Sequence, residues 1–244
     1  MSENRLRMFA GPNGSGKSTI INLIKQKVDF GVYLNADDIE GELKKSNKID
    51  LKSFFDKEVT DSELQDYIMN HSLLKKANDS GLSISLEINK SVVSSKNKNI
   101  NSYESSLLVD FIRYTLLSNK SKLTFETVMS HSSKVDILKK SKDLGYKNYL
   151  YYISTDDVEL NISRVRERVK EGGHDVPLDK ITSRYYNSLK LLHKAVVYTY
   201  RTYIFDNSSD RSVLILDIFN DEITIHSNFI PNWVDRWLLS YYNL

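Results

Sequence analysis

The distribution of apolar and polar positions along the chain predicts an α/β protein. Short apolar runs typical of buried strands are separated by stretches with an apolar residue at every third or fourth position, as in amphipathic helices. The predicted strands cover residues 6–10, 29–34, 123–129, 146–154 and 203–206, followed by a hairpin over 212–227 and a helix over 231–239. Strand–helix–strand order at these lengths implies right-handed crossovers, and therefore a parallel sheet flanked by helices.

The first predicted strand runs into a glycine-rich loop that fits the pattern G-x-x-x-x-G-K-[ST]. The loop reads Gly11, Pro12, Asn13, Gly14, Ser15, Gly16, Lys17, Ser18 and Thr19. An apolar pattern of helical period follows over residues 20–28, so the order is strand, loop, helix. In this pattern the backbone N–H groups surround a phosphate, Lys17 reaches the β- and γ-phosphates, and the Ser18 hydroxyl binds Mg²⁺. The stretch predicts binding of a nucleoside triphosphate, ATP or GTP, with Mg²⁺.

Residues 42–121 predict a mostly helical insertion. Two helices are expected within 53–76, with a break near Thr60, where Thr60 or Asp61 caps a helix with Glu63 close behind. The alternating run 82–88 predicts a strand that could pair in a small hairpin. A helix is expected over 103–118, capped by Ser102. Arg113 lies beside its apolar stripe, where a solvated face is favoured over contact with a phosphate.

Two acidic positions are candidates for chemistry on an acceptor hydroxyl. Asp37 and Asp38 follow the second predicted strand, at the edge where open α/β sheets bind ligands. A carboxylate there would accept a proton or help to hold Mg²⁺, but capping of the next helix is an equal alternative. Glu126 lies inside an apolar strand, where burial is costly without partners. It would bind the acceptor or a Mg²⁺-bound water, unless the strand lies at an edge with Glu126 in solvent. The adjacent His131 is more typical of a helix cap.

Two basic helices are predicted to form a lid over residues 156–192. Gly172 and Gly173 separate them, and arginines at 164, 166, 168 and 184 supply positive charge. Phosphoryl transfer needs such charge on the transferred group. The alternative is a solvated cationic face, which is less probable beside a phosphate-binding loop.

Composition limits the remaining options. The 244 residues include 34 basic and 32 acidic side chains, a net charge of +2, which argues against a dedicated nucleic-acid binder. There is no cysteine, so a disulfide or cysteine zinc site is excluded. No apolar run approaches the ~20 residues of a membrane span. We expect a single cytoplasmic domain over 1–244, without a signal peptide and without membrane contact.

The motifs GPNGSGKST (11–19), NADDI (35–39), FETVMSH (125–131), RVRERVKEGGHDVP (164–177) and FDNS (205–208) together resemble the zeta-toxin family of P-loop kinases, in its broader, uncharacterised bacterial branch. The resemblance implies a Mg²⁺-dependent kinase that phosphorylates the sugar 3′-hydroxyl of a UDP-N-acetylhexosamine. It also implies a toxin that an antitoxin protein restrains in trans.

The resemblance also assigns roles to single residues. It implies that Asp37 is the catalytic base, that Glu126 contacts the sugar, and that Arg164 or Arg168 contacts the γ-phosphate, with Lys17 as a further catalytic residue. The implied nucleotide-binding residues are the loop 11–19 together with Asn207 and Ser208, and Ser18 is the implied metal ligand.

The substrate pocket departs from the studied toxins at two positions. Ser130 stands where those toxins tend to have an arginine, and His174 replaces a second arginine with a group that titrates near neutrality. The predicted acceptor-binding residues are Glu126, Ser130, His131, His174 and Arg184. These departures weaken the prediction of the substrate more than the prediction of kinase chemistry. The alternative is a nucleotide-gated binding module or an ATPase without sugar kinase activity.

Overall fold

The computed structural model describes residues 4–173 and 175–242. Their strands are β1 Arg5–Ala10, β2 Val32–Leu34, β3 Lys48–Asp50, β4 Leu86–Asn89, β5 Val92–Ser95, β6 Leu123–Thr127, β7 Lys147–Ser154, β8 Arg201–Asp206, β9 Val213–Phe219 and β10 Glu222–Ile225. Their helices are α1 Lys17–Lys25, α2 Ala36–Ser46, α3 Asp61–Asn70, α4 Ser72–Asp79, α5 Ser102–Ser118, α6 Ser133–Asp143, α7 Val158–Lys170, α8 Leu178–Val196 and α9 Asn232–Trp237. The chain forms two compact units, residues 1–31 with 124–244, and residues 32–123.

The first unit contains a mostly parallel sheet in the order β10-β9-β8-β7-β1-β6. Strand β1 pairs in parallel with β7, and β7 in parallel with β8, while β9 and β10 run antiparallel. Four of the six β1 side chains are fully buried, as expected for a strand covered on both faces. The predicted α/β class, the parallel sheet and the C-terminal hairpin are confirmed.

The hairpin turns where the sequence predicts it. Asn220 and Asp221 both have positive φ, +51° and +62°, which is the requirement of a two-residue turn that matches the twist of its strands. The following helix α9 buries Trp233, while Trp237 is half-buried. Strand β2 is shorter than the predicted 29–34, because Gly31 adopts φ +60° and its N–H donates to the Asp29 side chain, which makes a turn before the strand.

Helices α7 and α8 form the predicted basic region. Helix α7 ends in a double cap, in which the Gly172 N–H donates to the Val169 carbonyl (3.0 Å) and the Gly173 N–H to the Arg168 carbonyl (2.9 Å). This is the Schellman arrangement, and Gly172 takes the left-handed φ of +89° that it requires. Gly172 and Gly173 thus end helix α7 with a defined backbone geometry. His174, a predicted acceptor-binding residue, lies outside the described residues.

The second unit combines helices α2 to α5 with a small antiparallel sheet in the order β3-β5-β4. The predicted hairpin around 82–88 is confirmed as β4 and β5. Thr60 caps α3 through a capping box with Glu63, as predicted. The helix expected over 53–59 is wrong, because the chain forms only a 3₁₀ turn over Leu51–Ser53, which the Phe54 and Phe55 N–H groups close by donating back to Leu51.

Helix α5 differs from its prediction in two respects. Asn101 rather than Ser102 caps it, accepting from two backbone N–H groups while Glu104 reaches back. Arg113 is only 6% exposed and forms an ion pair with Asp110 one turn earlier, so its expected solvated face is wrong. Helix α5 is buried on most sides, so Arg113 is covered although it would be exposed on an amphipathic helix with one buried face. No described helix has the length and apolarity needed to cross a lipid bilayer.

Candidate nucleotide site

The glycine-rich loop lies between the end of β1 and the start of α1. Its first N–H, of Gly11, donates to the Thr127 carbonyl at the end of β6 (3.2 Å), which places the loop at the carboxyl edge of the sheet. Gly16 precedes the helix with φ +89°, and a Cβ there would lie 2.0 Å from the Asn207 Nδ2 atom. Lys17 Nζ donates to the carbonyls of Gly11 and Pro12, both at 2.9 Å, so the lysine crosses the mouth of the loop.

Two asparagines from distant segments hold the loop backbone. Asn161 Nδ2 on α7 donates to the Asn13 carbonyl (2.7 Å), and Asn207 Nδ2 after β8 donates to the Ser15 carbonyl (2.9 Å). Because a peptide unit is planar and trans, fixing a carbonyl directs the next N–H to the opposite side. The clamps therefore orient the N–H groups of Gly14 and Gly16, as an anion-binding loop requires.

The Asn161 clamp is itself fixed. Asn161 is fully buried, and Thr155 Oγ1 donates to its Oδ1 atom, so its amide nitrogen must face the loop. The Tyr185 hydroxyl on α8 donates to the Thr155 carbonyl (2.7 Å). A continuous path of hydrogen bonds thus joins the loop to both basic helices. Asn161 was not among the predicted site residues, although a polar residue within the buried stripe of α7 is a visible signal.

Two polar atoms of the loop are buried and lack a hydrogen-bond partner among the described residues, Asn13 Oδ1 and Ser15 Oγ. Buried hydroxyl and amide groups nearly always form hydrogen bonds in native proteins. Two such atoms without a hydrogen-bond partner in a phosphate-binding loop therefore indicate that a ligand or water binds there. The Ser15 hydroxyl supplies a donor of the kind that a phosphate oxygen accepts. The residues present therefore fit a bound triphosphate.

Arg164 is the arginine that the fold brings to this loop. It is half-buried and donates to the Asn207 carbonyl (2.7 Å), next to the Ser15 clamp. A cleft of about 680 Å³ extends from Gly16 and Thr19 past Arg164 to the segment 209–212. This volume lies within the range of small-molecule pockets. Arg168 lies one turn further along α7 and is exposed.

Ser208, a predicted nucleotide-binding residue, has a structural role. Its hydroxyl donates to Asp206 Oδ1 (2.8 Å) and accepts from the Asp156 N–H (2.8 Å). Asp206 is buried and also accepts from Trp233 Nε1 (2.8 Å). This network fixes the carboxyl end of β8, from which Asn207 reaches the loop.

The predicted acceptor-binding residues after β6 surround a constrained turn. Met129 is fully buried with φ +53°, and its N–H donates to Thr127 Oγ1 (3.1 Å). Ser188 on α8 donates to the Val128 carbonyl (2.7 Å), and Arg184 lies one turn earlier on the same face of α8. Glu126, Ser130 and Arg184 are half-buried. The exposed His131 accepts from the Ser133 N–H (3.2 Å) in the first turn of α6, although Ser132 rather than His131 is the N-cap residue.

Asp37, in the second unit, is not the cap of its helix. Asn35 caps α2, accepting the Asp37 N–H at 3.0 Å, and both Asp37 and Asp38 are exposed in the first turn. The capping alternative for these aspartates is therefore wrong, and their carboxylates serve no local backbone need.

The Ser18 hydroxyl is the kind of oxygen donor that Mg²⁺ accepts together with phosphates and waters. Ser18 is exposed at the second position of α1, and no group of three His, Cys, Asp or Glu residues that could hold a metal occurs in the described part of the chain. Mg²⁺ is commonly bound by substrate phosphates, waters and one or two protein oxygens. The site fits this mode.

Comparison with known proteins finds one relative in sequence and several chains of similar fold. No protein-family model matches the chain. An uncharacterized protein of Haemophilus influenzae is 37% identical over 60 residues, 25% of this chain and 43% of that protein. A chain of the AvrRxo1-ORF1:-ORF2 complex with ATP is similar with a TM-score of 0.56 and 16% identity, covering 92% of this chain and 61% of that one. A chain of the PezAT chromosomal toxin–antitoxin system of Streptococcus pneumoniae has a TM-score of 0.51 and 14% identity, covering 98% and 80%.

The chain spans less than two thirds of the length of the Haemophilus protein and of the AvrRxo1 chain. At 14–16% identity the structural likeness shows the fold alone. The likeness to these chains supports the α/β fold that the sequence motifs predicted.

Proposed function

We propose that the protein is a Mg²⁺-dependent kinase that transfers the γ-phosphoryl group of ATP or GTP to a hydroxyl of a small molecule. The observation that carries the proposal is the clamped loop, in which Asn161 and Asn207 fix two carbonyls while the buried Ser15 hydroxyl has no partner. The fold shared with a chain of an ATP complex supports it.

Each group has a defined task in the transfer. The acceptor oxygen forms a bond to the γ-phosphorus, the bond from the γ-phosphorus to the β–γ bridging oxygen breaks, and the nucleoside diphosphate leaves. Asp37 receives the proton of the acceptor hydroxyl. Lys17 and Arg164 stabilise the charge that develops on the phosphoryl group, and Arg168 is the alternative to Arg164. When bound at Ser18, Mg²⁺ neutralises the β- and γ-phosphate oxygens.

The acceptor is proposed to be the sugar 3′-hydroxyl of a UDP-N-acetylhexosamine, with the protein acting as the toxin of a toxin–antitoxin pair. The fold shared with a PezAT chain supports this assignment, as do the motifs around Glu126. Glu126, Ser130, His131, His174 and Arg184 are the proposed acceptor-binding residues. An antitoxin protein is the proposed partner.

Phosphorus NMR with Mg²⁺, ATP and a pool of UDP-sugars tests the proposal. We expect a new phosphomonoester signal on a UDP-N-acetylhexosamine, absent with Asp37→Asn because the proton acceptor is lost. Production of a sugar phosphate by both proteins would contradict the role of Asp37. Slow ATP hydrolysis by both proteins, without sugar phosphate, would contradict the acceptor.

Lys17→Ala tests the phosphate site itself. Removal of one preorganised charge typically costs about 3–4 kcal/mol of transition-state stabilisation. We expect turnover to fall accordingly, as measured by nucleoside diphosphate release. Full turnover in this variant would contradict the assignment of the loop.

A second candidate function is a nucleotide-gated binding module. The separate compact unit over 32–123 favours it, because such a unit offers a surface for another protein. Asp37→Asn distinguishes the two candidates, since it abolishes phosphoryl transfer but leaves nucleotide-dependent binding of a partner unchanged.

A further inference from the structure

A groove in the second unit separates helix α3 from the C-terminal half of α5. It encloses about 470 Å³. The α3 side presents Glu63, Asp66, Tyr67 and Asn70, at positions i, i+3, i+4 and i+7 of one helix face. The opposite wall on α5 has the same spacing and begins at Phe111 and Tyr114. The two helices thus present matched stripes that line a shared open groove.

Aromatic rings from both helices line this groove. The ring centroid of Tyr67 lies 5.2 Å from the centroids of Phe111, Tyr114 and His71. Tyr114 is 42% exposed, so its ring is accessible from solvent. Burial raises the pKa of Tyr67, which keeps its hydroxyl neutral. Neutral phenol rings offer the negative π-faces that attract a cation.

Two carboxylates of α3 line the same groove. Glu63 is engaged, because it accepts the Thr60 N–H (2.8 Å) and lies 3.3 Å from Lys57 Nζ. The Asp66 carboxylate is exposed and has no hydrogen bond or ion pair among the described residues. Asp110 is paired with Arg113 and lies 3.8 Å from Nε2 of the groove residue His71. The net result is one uncompensated negative charge, that of Asp66, beside an aromatic surface.

We propose that this groove is a docking site for an arginine side chain of a protein partner. A guanidinium group stacks flat on Tyr rings and donates two parallel hydrogen bonds to a carboxylate, which matches Tyr67, Tyr114 and Asp66. An ammonium group makes neither contact as well, because it is a compact, strongly hydrated point charge. The site is independent of the phosphate-binding loop and gives the second unit a binding role of its own.

Nitrogen–proton correlation NMR of the full-length protein tests the proposal. The probe is N-acetyl-arginine methylamide, and its neutral isostere N-acetyl-citrulline methylamide is the ligand control. We expect saturable shifts confined to residues 61–71 and 111–119 with the arginine probe alone. Equal shifts with the citrulline probe, or no saturable shift with the arginine probe, would overturn the proposal.

Variants locate the contacts. Asp66→Asn and Tyr114→Leu alter exposed side chains and should leave the fold intact, and each should weaken binding of the arginine probe by about fivefold. Asp79→Asn, an exposed aspartate of α4 outside the groove, is the matched control and should bind as the unmodified protein does. Unchanged binding in both groove variants would overturn the proposal. Binding of spermidine that is tighter than that of the arginine probe would also overturn it, by assigning the groove to free amines.

Discussion

The phosphate-binding loop and the helix starts of the second unit hold their polar groups in opposite ways. The loop carbonyls of Asn13 and Ser15 are bound by side chains 148 and 192 residues away along the chain. In the second unit, Thr60 and Glu63 bind one another across three residues, as do Asn101 and Glu104. A local contact is built by a short pattern, whereas a distant clamp exists only after the chain has folded. The two regions should therefore respond differently to substitution.

Gly16→Ala should have the largest effect. The added Cβ would lie 2.0 Å from Asn207 Nδ2, and alanine at φ +89° adds about 1–3 kcal/mol of backbone strain. We expect nucleotide binding to be lost in a calorimetric titration.

Gly41→Ala is the matched control in the second unit. Gly41 lies within α2, where an added Cβ meets no atom within 4 Å. We expect unchanged nucleotide affinity and a gain in stability of up to about 1 kcal/mol. Nucleotide affinities that fall equally in both variants would contradict the special role of the loop.

Asn161→Ala should have the next largest effect. Loss of a buried donor to the Asn13 carbonyl costs about 1–3 kcal/mol. We expect a raised KM for the nucleotide together with a lower melting temperature. Asn161→Asp should be at least as harmful, since it places a carboxylate oxygen against that carbonyl.

Ser163→Ala, an exposed position of the same helix, is the control and should behave as the unmodified protein. If the two Asn161 variants bound nucleotide normally, the clamp would have no role in the site.

Thr60→Ala tests the local contacts of the second unit. Loss of a helix N-cap costs about 1 kcal/mol of folding stability. We expect lower stability by chemical denaturation and unchanged nucleotide affinity, while Ser62→Ala in the same turn should be nearly neutral. A large loss of nucleotide affinity in Thr60→Ala would remove the contrast between the two regions.

His193 gives the smallest effect, a dependence of stability on pH. Its pKa is lowered, first by burial and then by Lys194, and its ring stacks on Tyr241 at 3.8 Å. The unfolded chain then binds this proton more readily than the folded one. The contribution of His193 is full above its ordinary pKa near 6.5 and is lost as the pH falls through the folded pKa.

His193→Phe keeps the ring stack and removes the titration. We expect a smaller loss of stability between pH 7 and pH 5, measured by thermal unfolding at a series of pH values. An unchanged pH dependence in this variant would show that another group titrates.

The sequence predicted more of the first unit than of the second. The strands, the hairpin turn at Asn220 and the start of α3 at Thr60 follow from apolar period, turn chemistry and capping, all of which act within a few residues. The prediction for Arg113 was wrong because its burial depends on packing around all sides of α5. The helix expected over 53–59 was wrong because apolar residues alone do not start a helix.

The amino-acid sequence by itself determined the phosphate-binding loop, since its glycines, lysine and hydroxyl groups act through adjacent backbone and a nearby helix start. Only the tertiary structure decided what holds that loop. Asn161 and Asn207 reach it because α7 and the end of β8 return to the carboxyl edge of β1. Likewise, the groove beside Tyr67 exists because α3 and α5 bring their aromatic and polar side chains together. Side chains that are far apart in the chain come together only through packing. A local sequence pattern therefore does not predict these contacts.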